Sequence, residues 1–211
     1  VNKYLKKGIY FNHDTLIDNY FKSKNLNLAN YKINFVLENN KMNILASYAA
    51  LKAMNLKKDF FIKTLKKFKP LKHRSQIIHK SNNLIVINDS KATNLASTVH
   101  SIKSLNNIHL ILGGKIKTKN YSRLIKLKSH IRKIYLIGES SNYLYRKLNK
   151  YFECEVCKVM KTAIKACLKD IKNYDFSIIL LSPSCSSYDQ YKNFEDRGDQ
   201  FINLFKNFMS K

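Results

Sequence analysis

The sequence predicts an α/β protein whose C-terminal part is a mostly parallel sheet covered by helices on both faces. From residue 77 onward, short apolar runs alternate with longer stretches of helical period. The apolar runs, such as residues 84–87, are continuous and do not alternate with polar residues, which is typical of strands buried on both faces. Together these two observations predict a Rossmann-like domain.

The predicted strands and helices of this part follow one another in regular alternation. Gly113-Gly114 ends the second strand and Gly138 ends the third, as expected where the chain turns sharply. The predicted strands are 84–87, 108–112, 133–137, 155–159 and 176–181, and the predicted helices are 95–105, 121–129, 142–151, 161–173 and 197–209.

The first 70 residues are organised differently, with fewer strand-like runs. Pro70 follows the last helical stretch and cannot continue a helix, so a domain boundary is predicted near Pro70-Leu71. The two predicted domains are therefore 1–70 and 71–211. In the first domain the predicted strands are 8–11 and 32–37, and the predicted helices are 42–54 and 58–68.

The charge of the chain is strongly basic. It has 39 Lys or Arg residues against 14 Asp or Glu residues, a formal net charge of +25, which is typical of nucleic-acid-binding proteins. The lysines are dispersed, however, as at Lys57-Lys58 and Lys66-Lys67, which predicts solvated lysines on helix faces. No nucleic-acid partner is therefore predicted, and a basic nucleic-acid-binding domain is kept as an alternative.

The cysteines and the hydropathy pattern give two further expectations. Cys154 and Cys157 have no second pair and no histidines at zinc-ligand spacing, so reduced structural thiols and no metal site are predicted. The sequence has no run of 18 apolar residues, which predicts no membrane-spanning helix. Both features favour a cytoplasmic location.

Polar segments follow three of the predicted strands and should share one edge of the sheet. They are residues 88–94, 113–117 and 182–189. In open α/β sheets, ligands bind at the carboxyl ends of the strands. Lys91 and Lys117 supply positive charge, and neighbouring Ser, Thr and Asn side chains supply hydrogen-bond donors. The sequence therefore predicts a site for an anionic ligand.

Single residues of this edge also have structural explanations. Thr93-Asn94 opens a predicted helix, whose N-terminus favours a carboxylate or phosphate. Thr93 and Asp89 are also common cap and turn residues, and Lys117 is one of many surface lysines. For Asp89, hydrogen bonds to ribose hydroxyls and a role in holding magnesium both remain open.

Four stretches resemble segments of the Mur ligase family, and within it the members that add D-glutamate. Residues 88–94 resemble the family's NDSKATN segment. Residues 182–198 resemble its SPACASxDQFxNFExRG run, in which Ser184 replaces an alanine. Residues 71–74 resemble its LPHR segment, and residues 40–43 resemble the HNxxN segment of its ATP-binding domain.

The resemblance implies a role for each matching residue. His73 would lie beside the site at a domain hinge, and Lys91 and His73 are the predicted catalytic residues. Near Ile116, which precedes Lys117, the family usually has a glycine. Asn40 and Asn43 would contact adenine, Arg74 and Asp89 the ATP phosphates and ribose, Lys91 both ATP and D-glutamate, Thr93 the α-carboxylate of D-glutamate, and Lys117, Ser187 and the backbone of Phe194 its side-chain carboxylate.

The resemblance also implies an activity. It is the ATP-dependent addition of D-glutamate to UDP-N-acetylmuramoyl-L-alanine through an acyl phosphate, in peptidoglycan synthesis, by a cytoplasmic monomer that requires ATP and Mg²⁺. The sequence contains no G-x-x-x-x-G-K-[ST] phosphate loop. Residues 1–70 would then be the C-terminal portion of an α/β central ATP-binding domain. The phosphate loop, most magnesium ligands and a UDP-binding domain would precede Val1, and the chain alone is expected to be inactive.

Two other interpretations remain open. Another amino-acid ligase of the same fold, such as a folylpolyglutamate synthase-like enzyme, would share the sheet but not the match over residues 182–198. A non-catalytic nucleotide-binding module would require G-x-G-x-x-G after the first strand, and residues 88–94 contain no glycine.

Overall fold

The computed structural model describes residues 4–31, 37–69 and 71–210. The chain divides into two compact units, residues 1–70 and 71–211, each with its own core. The interpretation of the first unit as part of a central ATP-binding domain stays a prediction.

The first unit combines a small antiparallel sheet with two helices. The predicted strand at 8–11 and both predicted helices are confirmed. The predicted strand at 32–37 lies outside the described residues except for Leu37, which begins the first helix. The elements are β1 (Ile9–Asn12), β2 (Thr15–Asp18), β3 (Ser23–Asn27), a 3-10 turn (Leu28–Tyr31), α1 (Leu37–Ala53) and α2 (Lys58–Lys67), with the strands in the order β1-β2-β3.

One hydrophobic core holds this unit together. Phe11 and Leu16 of the sheet pack in it with Tyr48 of α1 and Phe61 of α2. The Tyr48 hydroxyl donates a hydrogen bond of 3.0 Å to Oδ2 of the buried Asp18. β2 and β3 were not predicted because short polar strands, such as the sequence SKNLN of β3, lack a period-2 apolar pattern.

The second unit contains a six-stranded sheet in the order β4-β5-β9-β6-β7-β8, in which β4 is antiparallel and the other strands are parallel. The five predicted strands are confirmed. The strands are β4 (Gln76–Lys80), β5 (Leu84–Asn88), β6 (Ile108–Gly113), β7 (Ile131–Ile137), β8 (Cys154–Lys158) and β9 (Ser177–Leu181), and the helices are α3 (Leu95–Ile102), α4 (Ser122–Ile125), α5 (Ser141–Leu148), α6 (Met160–Asp170) and α7 (Phe194–Met209).

Three elements of this unit differ from the prediction. The edge strand β4 was missed because its residues are half-buried or exposed and give little apolar signal. The predicted helix at 121–129 is the short α4 followed by a 3-10 turn at Lys128–His130, with i to i+3 hydrogen bonds such as Leu127 N–H to Leu124 O at 2.9 Å. Helix α7 begins three residues earlier than predicted, at Phe194.

Helices cover both faces of the sheet, as predicted. One core joins α3, α4 and α5 to alternate strand residues such as Leu110 and Leu112. The other joins α6 and α7 to residues such as Ile111 and Tyr135. Strand β9 lies between β5 and β6, so the chain crosses over β9 on its way from β5 to β6. The carboxyl ends of these three strands therefore meet where ligands bind in open α/β sheets.

Candidate functional site

The three polar segments predicted to share one edge of the sheet lie together. Backbone hydrogen bonds join them: Asp89 N–H donates to Leu181 O at 2.8 Å, and Gly113 N–H donates to Pro183 O at 3.0 Å. Ser184 N–H donates to Ala92 O at 2.9 Å. We call this set of strand-end segments (88–94, 113–117 and 182–189), with the start of α7, the carboxyl edge.

A buried arginine that was not predicted holds two of these segments. Arg197, only 1% exposed, donates from Nε to Ser90 Oγ at 3.0 Å and from Nη2 to Ser90 O at 2.9 Å. Its Nη1 donates to Cys185 O at 3.1 Å. The planar guanidinium fork suits three acceptors at once, and burial lowers the pKa of Arg197 to about 10. Its place in the 182–198 run was the available signal, because few arginines occur in this lysine-rich chain.

His73 is buried beneath this edge. Asn88 Nδ2 donates to His73 Nδ1 at 3.0 Å and to Gly198 O at 3.1 Å, while Asn88 Oδ1 accepts from Ser90 N–H at 3.2 Å. Because Nδ1 accepts, the ring proton sits on Nε2, which lies 3.6 Å from Oδ1 of Asp199. A side chain on Gly198 would meet Nδ1 at 2.2 Å, so glycine is required there. The ring is thus fixed in orientation.

The carboxylate of Asp89 is enclosed by hydrogen-bond donors. Oδ1 accepts from Ser75 N–H at 3.0 Å, and Oδ2 accepts from the hydroxyls of Ser101 at 2.6 Å and Ser182 at 2.9 Å. Burial raises the pKa of Asp89, although these donors and the charge of Arg74 offset part of the rise. Ser101 and Ser182 were not predicted as site residues. Asp89 therefore joins three parts of the unit.

Lys91 lies over the ring of Phe194. Its Nζ is 3.7 Å from the ring centroid, and Phe194 also packs edge-to-face against His73 at 6.3 Å. The backbone N–H of Lys91 donates to His73 O at 3.0 Å. The structure thus brings together three of the predicted site residues, and the aromatic face holds the ammonium group without neutralising its charge.

The other predicted residues of this unit lie nearby but make fewer contacts. Thr93 is half-buried, its N–H donates to Lys91 O at 2.8 Å, and within the described residues its hydroxyl makes no hydrogen bond. Asn94 caps α3 by accepting from Ser97 N–H at 2.9 Å, so the capping role that was considered for Thr93 belongs to Asn94. Arg74 is exposed.

Lys117 and Ser187 come shortly after the point where two strand-end segments pair through their backbones. Lys115 N–H donates to Ser186 O at 2.9 Å, and Ser186 N–H donates to Lys115 O at 3.0 Å. Lys117 is exposed, whereas Ser187 is 2% exposed. Ile116 has no positive φ, so the glycine usual in the family is not required by this backbone.

Asn40 and Asn43 belong to the first unit, on α1. Asn43 Nδ2 donates to Asn40 Oδ1 at 3.5 Å, as expected for residues one turn apart. Asn40 is half-buried and Asn43 is exposed.

The comparison with known families gives this geometry its context. A family profile described as "Mur ligase, glutamate ligase domain" matches residues 73–185, more than half of the chain. The chain belongs to the Mur ligase family. The matched range contains His73, Asp89, Lys91, Thr93 and Lys117.

Curated relatives of this Mur ligase chain agree with the profile. It is 35% identical over 207 residues to the UDP-N-acetylmuramoylalanine--D-glutamate ligase of Rickettsia bellii, covering 97% of this chain and 46% of the relative. The enzyme of the same name from Wolbachia pipientis wMel is 35% identical and covers 88% of this chain and 36% of its own length. The chain thus spans less than half the length of these relatives.

Solved structures of Mur-type ligases share the fold. A MurF structure from Acinetobacter baumannii matches with a TM-score of 0.60 at 14% identity, covering 93% of this chain and 42% of that one. A pseudomurein peptide ligase type C from Methanothermus fervidus matches with a TM-score of 0.55 at 17% identity, covering 94% and 41%.

Two negative observations complete the description of this Mur ligase chain. Across residues 4–31, 37–69 and 71–210, no three His, Cys, Asp or Glu side chains are grouped so that they could hold a metal ion. Among the same residues, no helix is long and apolar enough to span a membrane.

Proposed function

We propose that this chain supplies the amino-acid-binding part of an ATP-dependent ligase that adds D-glutamate to UDP-N-acetylmuramoyl-L-alanine during peptidoglycan synthesis in the cytoplasm. The observation that carries the proposal is the carboxyl edge, where Lys91 lies beside Phe194 at the start of α7. Lys91 lies within the residues that match the family profile, and the ligase of Rickettsia bellii, which is named for D-glutamate, matches 97% of this chain.

The carboxyl edge has the groups needed to bind an amino acid with two carboxylates. Lys91 and Lys117 form no ion pair with any residue that the structure describes, so both charges are available to an anion. Phe194 is the first residue of α7, and its backbone N–H has no acceptor within the helix. Helix N-termini favour carboxylates. Thr93 would bind the α-carboxylate, and Lys117, Ser187 and the Phe194 N–H the side-chain carboxylate.

The proposed reaction has two steps. The γ-phosphoryl group of ATP is transferred to the terminal carboxylate of the muramoyl precursor, which forms an acyl phosphate and ADP. The amine of D-glutamate then attacks the acyl carbon, and the tetrahedral intermediate expels inorganic phosphate as the amide bond forms. Lys91 would stabilise the negative charge that develops on oxygen, and the edge as a whole would hold the amine in position.

His73 is proposed to support this chemistry through Lys91. Its carbonyl fixes the backbone of Lys91, and its ring packs against Phe194. Arg74 and Asp89 on this unit, and Asn40 and Asn43 on the first unit, are proposed contacts of ATP. The phosphate-binding loop and the magnesium ligands are proposed to lie in other parts of the full-length protein.

The proposal is tested by phosphate release from the complete product of the gene that encodes this chain. The assay contains ATP, magnesium and UDP-N-acetylmuramoyl-L-alanine, and offers D-glutamate, L-glutamate, L-alanine, L-lysine and meso-diaminopimelate in turn. We expect release with D-glutamate alone, and none when the muramoyl precursor is omitted. Release with a different amino acid would keep the fold and overturn the substrate. The 211-residue chain alone should release no phosphate.

A further inference from the structure

The contact between Lys91 and Phe194 is unusually close. Lys91 Nζ lies 3.7 Å from the centroid of the Phe194 ring. Many lysines of this chain lie near aromatic rings, but the other lysine–ring contacts among residues 4–31, 37–69 and 71–210 are 5.3–5.9 Å long. An ammonium group is attracted to a ring face within about 6 Å of its centroid. Lys91 therefore has the closest ring contact of any lysine in the described part of the chain.

Lys91 has this ring in place of a carboxylate partner. It forms no ion pair with a residue that the structure describes. The carboxylate of Asp89, two residues earlier in the chain, is bound instead by the hydroxyls of Ser101 and Ser182, at 2.6 and 2.9 Å. A carboxylate would hold the ammonium group and neutralise it, whereas a ring face holds it and leaves its charge intact. The ring thus gives Lys91 a fixed place without weakening its attraction for an anion.

Phe194 is tied to the segment that carries Lys91 in two ways. Ser90, the residue before Lys91, donates from Oγ to Phe194 O at 2.7 Å. The Phe194 ring packs edge-to-face against His73, with the ring planes at 79°, and His73 O accepts from Lys91 N–H at 3.0 Å. The contact is therefore set by the backbones of both segments and not by the long lysine side chain alone.

We propose that Phe194, through its ring, is a positioning residue for Lys91, and that the electron-rich ring face keeps the ammonium group where negative charge develops in the reaction. The inference rests on the proposed function, in which Lys91 stabilises that charge. That function uses only the backbone N–H of Phe194, which binds the side-chain carboxylate of D-glutamate. Phe194 thus connects two tasks, because its N–H binds the amino acid and its ring places the cation beside the reacting oxygen.

The contact can be measured in the 211-residue chain without any ligand. In a chain labelled with ¹³C at the lysine Cε, the Lys91 signal is the one that Lys91→Arg removes. Protons above a ring face are shifted upfield by the ring current, so the Lys91 Hε signal should lie upfield of the other lysines. Phe194→Leu should return it to their position. An Hε signal that is unshifted, or that Phe194→Leu leaves in place, would overturn the proposal.

The role of the ring in catalysis is tested in the complete gene product with fluorinated phenylalanines at position 194. Each added fluorine withdraws electron density from the ring face and weakens its attraction for a cation, with little change in ring shape. From the mono- to the trifluorinated residue, kcat should fall stepwise, by about threefold or more in total. The KM for D-glutamate should change less, because the backbone N–H of Phe194 is retained. A constant kcat across the series would rule out the positioning role.

Phe208 supplies a matched control. It lies in the same helix, α7, is half-buried like Phe194, and has no lysine over its ring among the described residues. The same fluorinated residues at position 208 should leave kcat unchanged. An equal loss of kcat at both positions would mean that fluorination acts on the helix in general, and the proposal would fail.

Conservative and non-conservative variants separate the ring face from side-chain size. Phe194→Tyr keeps an aromatic face and should retain most of kcat, whereas Phe194→Leu should lower kcat by about 3- to 30-fold. Equal kcat values for the two variants would contradict a role for the ring face.

Failure of the proposed function would give a different result. If the unmodified gene product shows no D-glutamate-dependent phosphate release, the proposed function fails and the positioning role fails with it. The Hε signal of Lys91 still decides whether the ring holds the ammonium group.

Discussion

Two aspartates of the second unit show how the carboxyl edge differs from the opposite edge of the sheet, where the amino ends of the parallel strands lie. Asp89 lies at the carboxyl edge and accepts from the hydroxyls of Ser101 and Ser182, at 2.6 and 2.9 Å. Asp170 lies at the end of α6, near the amino ends of the strands, and accepts from Lys133 Nζ at 2.7 Å. Burial raises the pKa of Asp89. Burial alone would also raise that of Asp170, but the hydrogen bonds from Lys133 and Tyr135 lower it.

The lysines differ in the same way. Lys133 is neutralised by three carboxylates, those of Asp170 at 2.7 Å, Glu155 at 2.8 Å and Glu153 at 3.3 Å. Lys91 and Lys117, at the carboxyl edge, form no ion pair with a described residue. The charge of Lys133 is thus neutralised within the protein, whereas the charges of Lys91 and Lys117 at the carboxyl edge are available to a ligand. Unpaired cations at the carboxyl edge attract an anionic ligand, whereas the paired charges around Lys133 only connect parts of the protein.

Loss of Arg197 should lower the free energy of unfolding more than any other change considered. That result would show that hydrogen bonds from Arg197, largely to the backbone, hold the carboxyl edge together. In Arg197→Met, Ser90 O, Ser90 Oγ and Cys185 O lose their donor inside the unit. We expect the free energy of unfolding, measured with urea, to fall by at least about 3 kcal/mol. Arg197→Lys should recover only part of the loss, because an ammonium group cannot reproduce the guanidinium fork.

Arg132 is the matched control at the opposite edge. It is exposed and donates from Nη2 to Asn107 Oδ1 at 2.9 Å. Arg132→Met should change the free energy of unfolding much less than Arg197→Met. Equal losses in the two variants would mean that the three hydrogen bonds of Arg197 do not distinguish the edges.

The two lysines should separate activity from stability. In the complete gene product, Lys91→Met should lower kcat by about 100-fold or more, because it removes a cation placed where negative charge develops. Its urea midpoint should change little. Lys133→Met should do the reverse, lowering the midpoint and leaving kcat and the KM for D-glutamate unchanged. A Lys133→Met enzyme with impaired D-glutamate kinetics would contradict the division between the edges.

The elements of the fold that could be predicted are those marked by a local pattern of apolar residues in the sequence. Four of the parallel strands, β5, β6, β7 and β9, have largely continuous apolar runs and were found in this way. Strand β8, with the sequence CEVCK, was predicted although it contains two charged residues. β4 could not be, because an edge strand that is largely exposed has no apolar pattern. The antiparallel β2 and β3 are short and polar, so the turns and long-range pairing that define them leave little trace in the sequence.

The candidate site was predictable where the strand-end rule and the resemblance pointed to the same residues. Lys91, Phe194 and His73 were named in advance, and the structure brings them together. The supporting groups were not named. Arg197 contacts Ser90, which is 107 positions away in the sequence, and Ser101 contacts Asp89, which is 12 positions away. A local sequence pattern does not predict contacts of this kind.

His109, near the amino end of β6, should make the stability of the second unit depend on pH. The ring is 1% exposed, Nδ1 lies 2.8 Å from the Tyr135 hydroxyl, and burial lowers its pKa to about 4. A histidine with a lowered pKa binds its proton more tightly in the unfolded chain. Stability should therefore be complete above the unfolded pKa of about 6.5 and should fall, by about 2–3 kcal/mol, as the pH drops towards 4.

Urea unfolding of the chain at pH 7, 5.5 and 4.5 would measure how steeply the free energy of unfolding falls as the pH drops. His109→Phe should make the free energy of unfolding depend less steeply on pH. An unchanged slope in His109→Phe would assign the acid sensitivity to other groups.

The smallest effects should come from the two aspartates themselves. Asp170→Asn removes the charge that Lys133 pairs with and should lower the free energy of unfolding at pH 7 by about 1 kcal/mol. Because the folded pKa of Asp170 is lowered, its contribution is present above the unfolded pKa of about 3.9 and is lost as the pH falls through the folded value. The difference between Asp170→Asn and the unmodified chain should therefore shrink in acid.

Asp89→Asn should behave in the opposite way. The folded pKa of Asp89 is raised, so its ionised form is unfavourable in the folded state at neutral pH, and a neutral amide removes that penalty. The hydroxyls of Ser101 and Ser182 can rotate to accept from the new amide group. We expect a change in the free energy of unfolding within about 0.5 kcal/mol at pH 7, together with a raised KM for ATP in the complete gene product. A loss as large as that of Asp170→Asn, with unchanged ATP kinetics, would mean that the charge of Asp89 serves the fold, and the contrast between the two edges would then be restricted to their lysines.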